Sequence, residues 1–336
     1  MGPFETFRNI SILQLVSYCM RRRLIRILLI LLLFPALLSV VAGWMGAPGF
    51  LHPEKRALTS DMVRDADITF AQIGAHREEF DLRAPDGVML RGWKVGAAKP
   101  NGAWVLVFHG VADNRYGTEE HARMLLKSGY GVVMMDSRAH GASGGEMASY
   151  GWLERKDVSA VIDELERTEH PDHLYAMGIS MGAGIALQAA GSDARIEAVV
   201  AEAPFANLRE AAYDYAGLQR WPLLGKTFFA PGAWVVIYHG ERLAGFPAGE
   251  VSPEKAVKAR AFPLLLICDG QDVVLPCRHS ETILHAATGA KELWRVEGAL
   301  HTGGLGTEPV EYRRRVISFF DSQRGGGSVP VAKGRR

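Results

Sequence analysis

The stretch that most constrains the fold runs from Tyr175 to Gly184 and contains Gly178-Ile179-Ser180-Met181-Gly182. This pattern, G-x-S-x-G, is typical of a tight turn from a buried strand into a helix, with a serine at its tip. Glycine flanks the serine because such a turn leaves little room for a Cβ. Residues 173–177 before it have the pattern of a short buried strand, and residues 183–190 after it that of a small-residue helix. The stretch therefore predicts a strand–turn–helix that presents Ser180 above a sheet edge.

Composition narrows the possible classes of function. The chain has 336 residues, enough for an α/β domain of roughly 250 residues. Its formal net charge of +1 offers no electrostatic reason to expect a nucleic acid partner. The sequence lacks C-x-x-C and H-E-x-x-H spacings, so we expect neither a metal nor a cofactor. Cys268 and Cys277 could pair, but Cys268 closes an apolar run, and we expect it to pack as a small hydrophobic side chain.

An uncharged apolar run covers residues 27–45, close to the roughly 20 residues that a helix needs to cross a bilayer. An arginine cluster at residues 21–26 precedes it, so the positive-inside rule predicts a cytoplasmic segment at residues 1–26 and an extracytoplasmic remainder, periplasmic in a Gram-negative cell. A cleaved signal peptide is the alternative, with Val40-Val41-Ala42 as the cleavage site of a secreted protein. The long N-terminal region and the length of the run favour a retained transmembrane anchor.

Beyond the anchor, residues 46–76 are predicted to be a juxtamembrane linker, and residues 77–323 a globular domain. In that domain strands alternate with helices, which predicts a mostly parallel sheet with helices on both faces. Residues 205–260 break the alternation with aromatic residues and prolines, and we interpret them as a helical cap rather than as helices that only fill the core. Residues 324–336 are predicted to be a flexible tail. The predicted strands cover residues 78–82, 88–95, 103–108, 131–135, 173–177, 196–201, 262–268 and 293–296.

Other motifs occur at fixed places in this alternation. His109-Gly110 follows the third predicted strand, Asp136 to Gly144 follows the fourth, and Tyr150-Gly151 leads into the next helix. With the turn at Ser180, these motifs and their order resemble the α/β-hydrolase superfamily over residues 77–323. Within it, the chain most resembles membrane-anchored bacterial serine hydrolases of the acyl-esterase and dienelactone-hydrolase-like kind. The resemblance implies an α/β-hydrolase fold and a triad in the chain order serine, acid, histidine.

Four side chains are candidates for the three positions of that triad. A serine hydroxyl is a weak nucleophile at neutral pH and needs a base, most often histidine. His301 follows the last predicted strand in a glycine-rich turn, and we predict that it is the base for Ser180. Two carboxylates, Asp269 and Asp272, follow the seventh strand. Asp272 is the predicted acid because Leu275-Pro276 fits the ending usual in the family, but the family's glycine stands one position late, so Asp269 stays an alternative.

The resemblance also implies an oxyanion hole made of two backbone N–H groups, those of Met181 and Val111. Met181 begins a predicted helix, so its N–H also carries the positive end of the helix dipole. We expect His109 and His140 to brace loops rather than to transfer protons. The sequence assigns no substrate-binding side chains.

Together these residues predict a serine hydrolase that cleaves carboxylic ester or thioester bonds through an acyl-enzyme. The expected partners are a small-molecule or lipid-like acyl ester and, through the N-terminal helix, a membrane. A serine peptidase with the same triad is one alternative, and we rank it lower because the sequence contains no recognisable substrate-gating domain. A non-catalytic binding protein of the same fold is another, although serine, histidine and acid are all present. The oligomeric state is not predicted.

Overall fold

A single eight-stranded sheet forms the centre of the computed structural model, which describes residues 12–218 and 225–325. The strands are β1 (His76–Arg83), β2 (Met89–Gly96), β3 (Ala103–Phe108), β4 (Gly131–Asp136), β5 (His173–Ile179), β6 (Ala198–Glu202), β7 (Leu264–Asp269) and β8 (Lys291–Val296). The strand order is β1-β2-β4-β3-β5-β6-β7-β8. The first two strands pair antiparallel, β2 also pairs antiparallel with β4, and the others are parallel. This arrangement confirms the predicted α/β-hydrolase fold.

Helices cover both faces of this sheet. Every residue of β4, β6 and β7 is buried, which explains why these strands read as continuous apolar runs. The helices are α1 (Ile12–Leu51), α2 (Ser60–Gln72), α3 (Glu119–Lys127), α4 (Glu154–Glu169), α5 (Met181–Ser192), α6 (Leu208–Tyr215), α7 (Ala230–Ala244), α8 (Pro253–Ala259), α9 (Arg278–Ala286), α10 (Gly304–Thr307) and α11 (Pro309–Arg324). One face of the sheet packs against α4, α5, α6, α8 and α9, and the opposite face against α2, α3 and α11.

The N-terminal helix is longer than the predicted anchor. The apolar residues 27–45 lie inside α1, which continues to Leu51. Within the part of the chain that the structure describes, α1 is the helix long and apolar enough to cross a membrane, with a mean hydropathy of 2.8. The predicted linker at residues 46–76 therefore holds the last turn of α1 and the whole of α2. The buried residues of α2 are Ala66 and Phe70, and the packing of Phe70 against the sheet stabilises the helix.

The C-terminal end of α1 is attached to the globular domain. The Ala148 N–H donates to the Leu51 carbonyl at 2.9 Å, and the Tyr150 hydroxyl donates to the Phe50 carbonyl at 2.5 Å. The rings of Phe50 and Tyr150 stack with their centroids 4.7 Å apart, and Leu51 is buried in the core. The C-terminal end of α1 is thus part of the globular domain.

The segment predicted as a cap, residues 205–260, contains α6, α7 and α8. Residues 219–224 of this segment lie outside the described residues, as do residues 1–11 of the predicted cytoplasmic segment and residues 326–336 of the predicted tail. Helix α7 packs along α1, where a Cβ on Gly43 would overlap the carbonyl of Gly232. The cap segment is therefore in contact with both the sheet and the N-terminal helix.

Cys268 and Cys277 form a disulfide, with their Cα atoms 5.3 Å apart. The expectation that Cys268 packs as an isolated hydrophobic side chain is therefore wrong, although Cys268 is buried as expected. The chain turns back after β7 and returns residue 277 to the strand end, which residue spacing alone did not indicate. The disulfide closes the loop that carries Asp272.

Candidate active site

Ser180 stands between β5 and α5, at the tip of the predicted turn. Its φ is +53°, a conformation that side chains other than glycine rarely adopt. The turn is crowded: a Cβ on Gly178 would overlap the carbonyl of Gly182, and a Cβ on Gly182 would overlap the carbonyl of Phe108. The Ser180 N–H donates to the Glu202 carbonyl at 2.9 Å, which fixes the turn to β6. The serine is thus held in a strained conformation, with 6% of its surface exposed.

The structure brings Ser180, His301 and Asp272 together from three distant parts of the chain. The Ser180 hydroxyl lies 2.9 Å from His301 Nε2, which can accept its proton. On the other side of the ring, His301 Nδ1 lies 2.6 Å from Asp272 Oδ2. With the imidazole neutral and protonated at Nδ1, both contacts are good hydrogen bonds. The arrangement links a hydroxyl, a base and a carboxylate in the order that nucleophilic catalysis needs.

Of the two candidate acids, Asp272 is the one that contacts His301. Its second oxygen, Oδ1, accepts hydrogen bonds from the N–H groups of Val274 at 2.7 Å and Leu275 at 2.9 Å, so the carboxylate orientation is fixed. Asp269 is buried beneath the turn that follows His301. Burial, and then the nearby Glu202 carboxylate, raise the pKa of Asp269 to about 8. A carboxyl group with such a pKa is mostly protonated at pH 7 and is poorly suited to stabilise an imidazolium.

Glu202, at the end of β6, is a buried residue that the sequence reasoning missed. Its Oε1 accepts the Gly304 N–H at 2.9 Å, and its Oε2 accepts the Tyr312 hydroxyl at 2.5 Å. These bonds tie the turn after His301 to the centre of the sheet. A strand-end carboxylate has many possible roles, so the sequence carried no specific signal for this one.

His109 and His140 lie next to each other, with ring centroids 5.2 Å apart, and both contact backbone. His109 Nε2 accepts the Ser137 N–H at 3.0 Å, and its Nδ1 donates to the Gly110 carbonyl at 2.7 Å. Burial lowers the pKa of His109 below its ordinary value. Burial, and then His109, lower the pKa of His140 to about 4. Both rings are therefore neutral at pH 7 and bonded to loop backbone.

The two predicted oxyanion donors lie in the same cavity as Ser180. Met181 is the first residue of α5, so its N–H has no carbonyl partner within the helix. Val111 follows Gly110, and a Cβ added to Gly110 would lie 3.6 Å from the Ser180 Cβ. The backbone next to Val111 therefore runs close to the serine. Their role as donors stays a prediction.

The cavity in front of Ser180 has a volume of about 300 Å³ and a mostly apolar lining. Three parts of the chain that are distant in sequence form its walls: the end of α1, the loops beside Ser180, and α6. The sequence reasoning did not find the contribution of α1, because residues 46–76 were interpreted as a linker. The lining residues are Gly49, Phe50, Pro53, Glu54, Val111, Ala112, Tyr150, Ser180, Met181, Phe205, Leu208, Ala211, Tyr215 and Leu275. In the two described ranges, 12–218 and 225–325, no group of three or more histidine, cysteine, aspartate or glutamate side chains is placed to hold a metal ion.

Sequence comparisons find hydrolases among the proteins that this chain resembles. Residues 99–239 match the family model described as serine aminopeptidase, S33. The uncharacterized protein YqkD of Bacillus subtilis is 28% identical over 271 residues, which cover 78% of this chain and 85% of that protein. The lysophosphatidylserine lipase ABHD12 of Danio rerio is 23% identical over 304 residues, which cover 82% of this chain and 74% of that protein.

Solved structures show the same fold. The esterase Pf2001 of Pyrococcus furiosus superposes with a TM-score of 0.64 at 22% identity and covers 81% of this chain and 98% of its own. The acylaminoacyl peptidase of Pyrococcus horikoshii superposes with a TM-score of 0.60 at 17% identity, over 80% of this chain and 44% of its own. The sheet order, the strand–turn–helix at Ser180 and these superpositions agree, and the chain has the α/β-hydrolase fold.

Proposed function

We propose that this protein is a membrane-anchored serine hydrolase that cleaves carboxylic ester or thioester bonds in acyl or lipid-like substrates. The observation that carries the proposal is the unbroken hydrogen-bonded series from the Ser180 hydroxyl through His301 to Asp272, at 2.9 Å and 2.6 Å. This series opens into a mostly apolar cavity of about 300 Å³, a volume at the lower end of the usual range for small-molecule sites.

In the proposed reaction, Ser180 Oγ attacks the acyl carbonyl carbon while His301 Nε2 takes the hydroxyl proton. Asp272 holds His301 in the required tautomer and stabilises the imidazolium without taking its proton. The N–H groups of Met181 and Val111 stabilise the developing oxyanion. His301 then protonates the leaving alcohol or thiol, and a water molecule, activated by the same imidazole, releases the acyl group from Ser180.

Two features support an acyl or lipid-like substrate. The side chains of Phe50, Phe205 and Leu208 give the cavity apolar walls that suit an acyl chain. Among the relatives, a lysophosphatidylserine lipase and an esterase act on esters, by their names.

A retained anchor is supported by the contacts that α1 makes. A Cβ on Gly232 would overlap the carbonyl of Ser39, so this part of α1 packs directly on α7. Cleavage after Ala42 would remove Ser39 from that contact. The disulfide between Cys268 and Cys277 supports an extracytoplasmic domain, because disulfides persist in oxidising compartments. We propose a single-pass protein with a cytoplasmic N-terminus.

An active-site-directed fluorophosphonate tests the nucleophile. It should label the wild-type protein, and Ser180→Ala should abolish labelling. Ser192→Ala is the matched control, since Ser192 is an exposed serine at the end of α5 whose hydroxyl donates to the carbonyls of Gln188 and Ala189. Labelling of Ser180→Ala at the wild-type level would remove Ser180 from the nucleophile role. An unlabelled wild type would favour a non-catalytic binding protein.

A serine peptidase is the second candidate, because the matched family model is described as a serine aminopeptidase and the cavity contains one carboxylate, Glu54. A carboxylate at this position could pair with the amino group of a peptide. Ester and amide substrates that share one acyl group separate the two proposals. We expect a higher kcat/KM for the ester, and faster turnover of amides with a free amino terminus, lost in Glu54→Gln, would support the peptidase.

A further inference from the structure

Helix α7 lies directly against α1, at the level of the apolar run. The carbonyl of Gly232 would overlap a Cβ on Gly43, and the carbonyl of Ser39 would overlap a Cβ on Gly232. Further along, the rings of Trp44 and His239 stack with centroids 3.5 Å apart. Small residues at such a crossing are typical of helices that associate within membranes, where close backbone approach replaces hydrophobic burial.

The order of these contacts shows that the two helices run in the same direction. The N-terminal end of α7 meets Ser39 and Gly43. Two turns later on α7, a Cβ added to Gly240 would lie 4.0 Å from the Leu51 side chain. Residue 36 is the midpoint of the apolar run at residues 27–45. Because a helix rises 1.5 Å per residue, Ser39 and Gly43 lie about 5 to 10 Å outward from that midpoint. The hydrocarbon core extends about 15 Å from its centre, so this level is still inside the hydrocarbon.

The surface of α7 that faces away from α1 suits such a position. Trp234 is 68% exposed and Tyr238, one turn later, is 53% exposed. The Arg209 guanidinium lies 5.9 Å from the Trp234 ring, and the Arg242 guanidinium lies 5.1 Å from the Tyr238 ring. Charged residues of α7 are confined to its C-terminal part, at Glu241 and Arg242. Tryptophan and tyrosine beside arginine are typical of the boundary between hydrocarbon and headgroups.

We propose that α7 is a second membrane-contact element, whose N-terminal half enters the outer leaflet beside α1. The inference rests on the retained anchor proposed above, and its partner is the lipid bilayer itself. Phe50, in the wall of the Ser180 cavity, follows the midpoint of the apolar run by 14 residues, or about 21 Å along the helix. The cavity therefore lies at the level of the lipid headgroups, next to the ester bonds of membrane lipids.

The experiment uses the full chain in phosphatidylcholine nanodiscs. Cys19, the free cysteine in the described part of the chain, is replaced by serine. Trp234→Cys, Leu243→Cys and Val310→Cys are then each labelled with bimane. Leu243 is 48% exposed at the C-terminal end of α7, and Val310 is 82% exposed on α11, across the sheet.

We expect a nitroxide on the lipid acyl chain to quench the label at position 234 at least about twofold more than the label at position 310, because only α7 enters the leaflet. Position 243 is about 13 Å further along the helix. The lipid nitroxide should therefore quench the label there less than at position 234, and aqueous iodide should quench it more. The proposal is refuted if iodide quenches position 234 as strongly as position 310, or if neither quencher reaches it because protein covers it. Fluorophosphonate labelling of Ser180 in the same samples is independent: its loss with the quenching gradient intact would count against the proposed hydrolase and not against the membrane contact.

Discussion

Replacement of Asp272 by asparagine tests the proposed role of this carboxylate without changing its shape. Asp272 Oδ1 accepts two backbone N–H bonds, from Val274 and Leu275. An asparagine keeps those bonds only with its amide oxygen at the Oδ1 position, which turns its NH₂ group toward His301 Nδ1. His301 Nδ1 must then accept a hydrogen bond, so the imidazole proton moves to Nε2. A protonated Nε2 can no longer accept a proton from Ser180.

The wrong tautomer leaves nucleophile, base and cavity in place but removes general-base catalysis. We expect kcat to fall about 10⁴-fold, which corresponds to about 5.4 kcal/mol of transition-state stabilisation at about 1.36 kcal/mol per factor of ten. Folding should be little affected, since both backbone hydrogen bonds are retained. Steady-state hydrolysis of a p-nitrophenyl ester, with the melting temperature as a check of folding, measures both quantities.

Asp269→Asn is the matched control, because it makes the same change three residues earlier, at the end of β7. Asp269 is mostly protonated near pH 7, so a neutral amide resembles its native state, and we expect less than about a tenfold loss of kcat. If Asp269→Asn lost as much activity as Asp272→Asn, or more, the assignment of the acid and the tautomer argument would both be wrong.

Three further predictions concern stability. The pKa of Asp269, near 8 in the native protein against 3.8 normally, means that native stability falls as pH rises between these values. Asp269→Asn should therefore raise the melting temperature at about pH 9 more than at about pH 5. Cys268 and Cys277 are nine residues apart, and reduction of their disulfide should lower the free energy of unfolding, measured in urea, by about 2 to 3 kcal/mol. The unfolding of a Cys268→Ala/Cys277→Ala protein should not respond to dithiothreitol. Gly43→Leu should lower the free energy of unfolding by about 1 to 3 kcal/mol, because the added side chain meets α7. Gly46→Leu, where a Cβ meets no atom within 4 Å, should leave the free energy of unfolding unchanged, and equal effects would contradict the described packing.

Local chemistry explains which elements were predictable from the sequence. The turn at Ser180 needs glycine at position 178 because a Cβ there would overlap the carbonyl of Gly182, within the same turn. Glycine at position 182 avoids the carbonyl of Phe108 on β3, and the five-residue pattern carries both requirements, so it was enough to predict the turn. Strands buried on both faces must be apolar throughout, so β3, β4 and β7 were recognised within one or two residues at each end. His301 was identified by its place after the last strand, and the structure brings it to Ser180.

The features that were not predicted depend on contacts between distant segments. Phe50 forms part of the cavity because Tyr150, 100 residues away, holds its carbonyl and stacks on its ring. Asp272 and Asp269 are separated by two residues, and only the path of the loop decides which of them meets His301. The disulfide likewise follows from the return of the chain to the end of β7. Spacing along the sequence carries little information about such encounters.

The stacking of Phe50 on Tyr150 makes one wall of the cavity depend on the last turn of α1. Under the proposed function, a truncated variant that begins after Leu51 would keep Ser180, His301 and Asp272 but would lose this wall. Its substrate preferences would therefore differ from those of the full chain, and a substrate screen on such a variant would be an unreliable guide to the natural substrate.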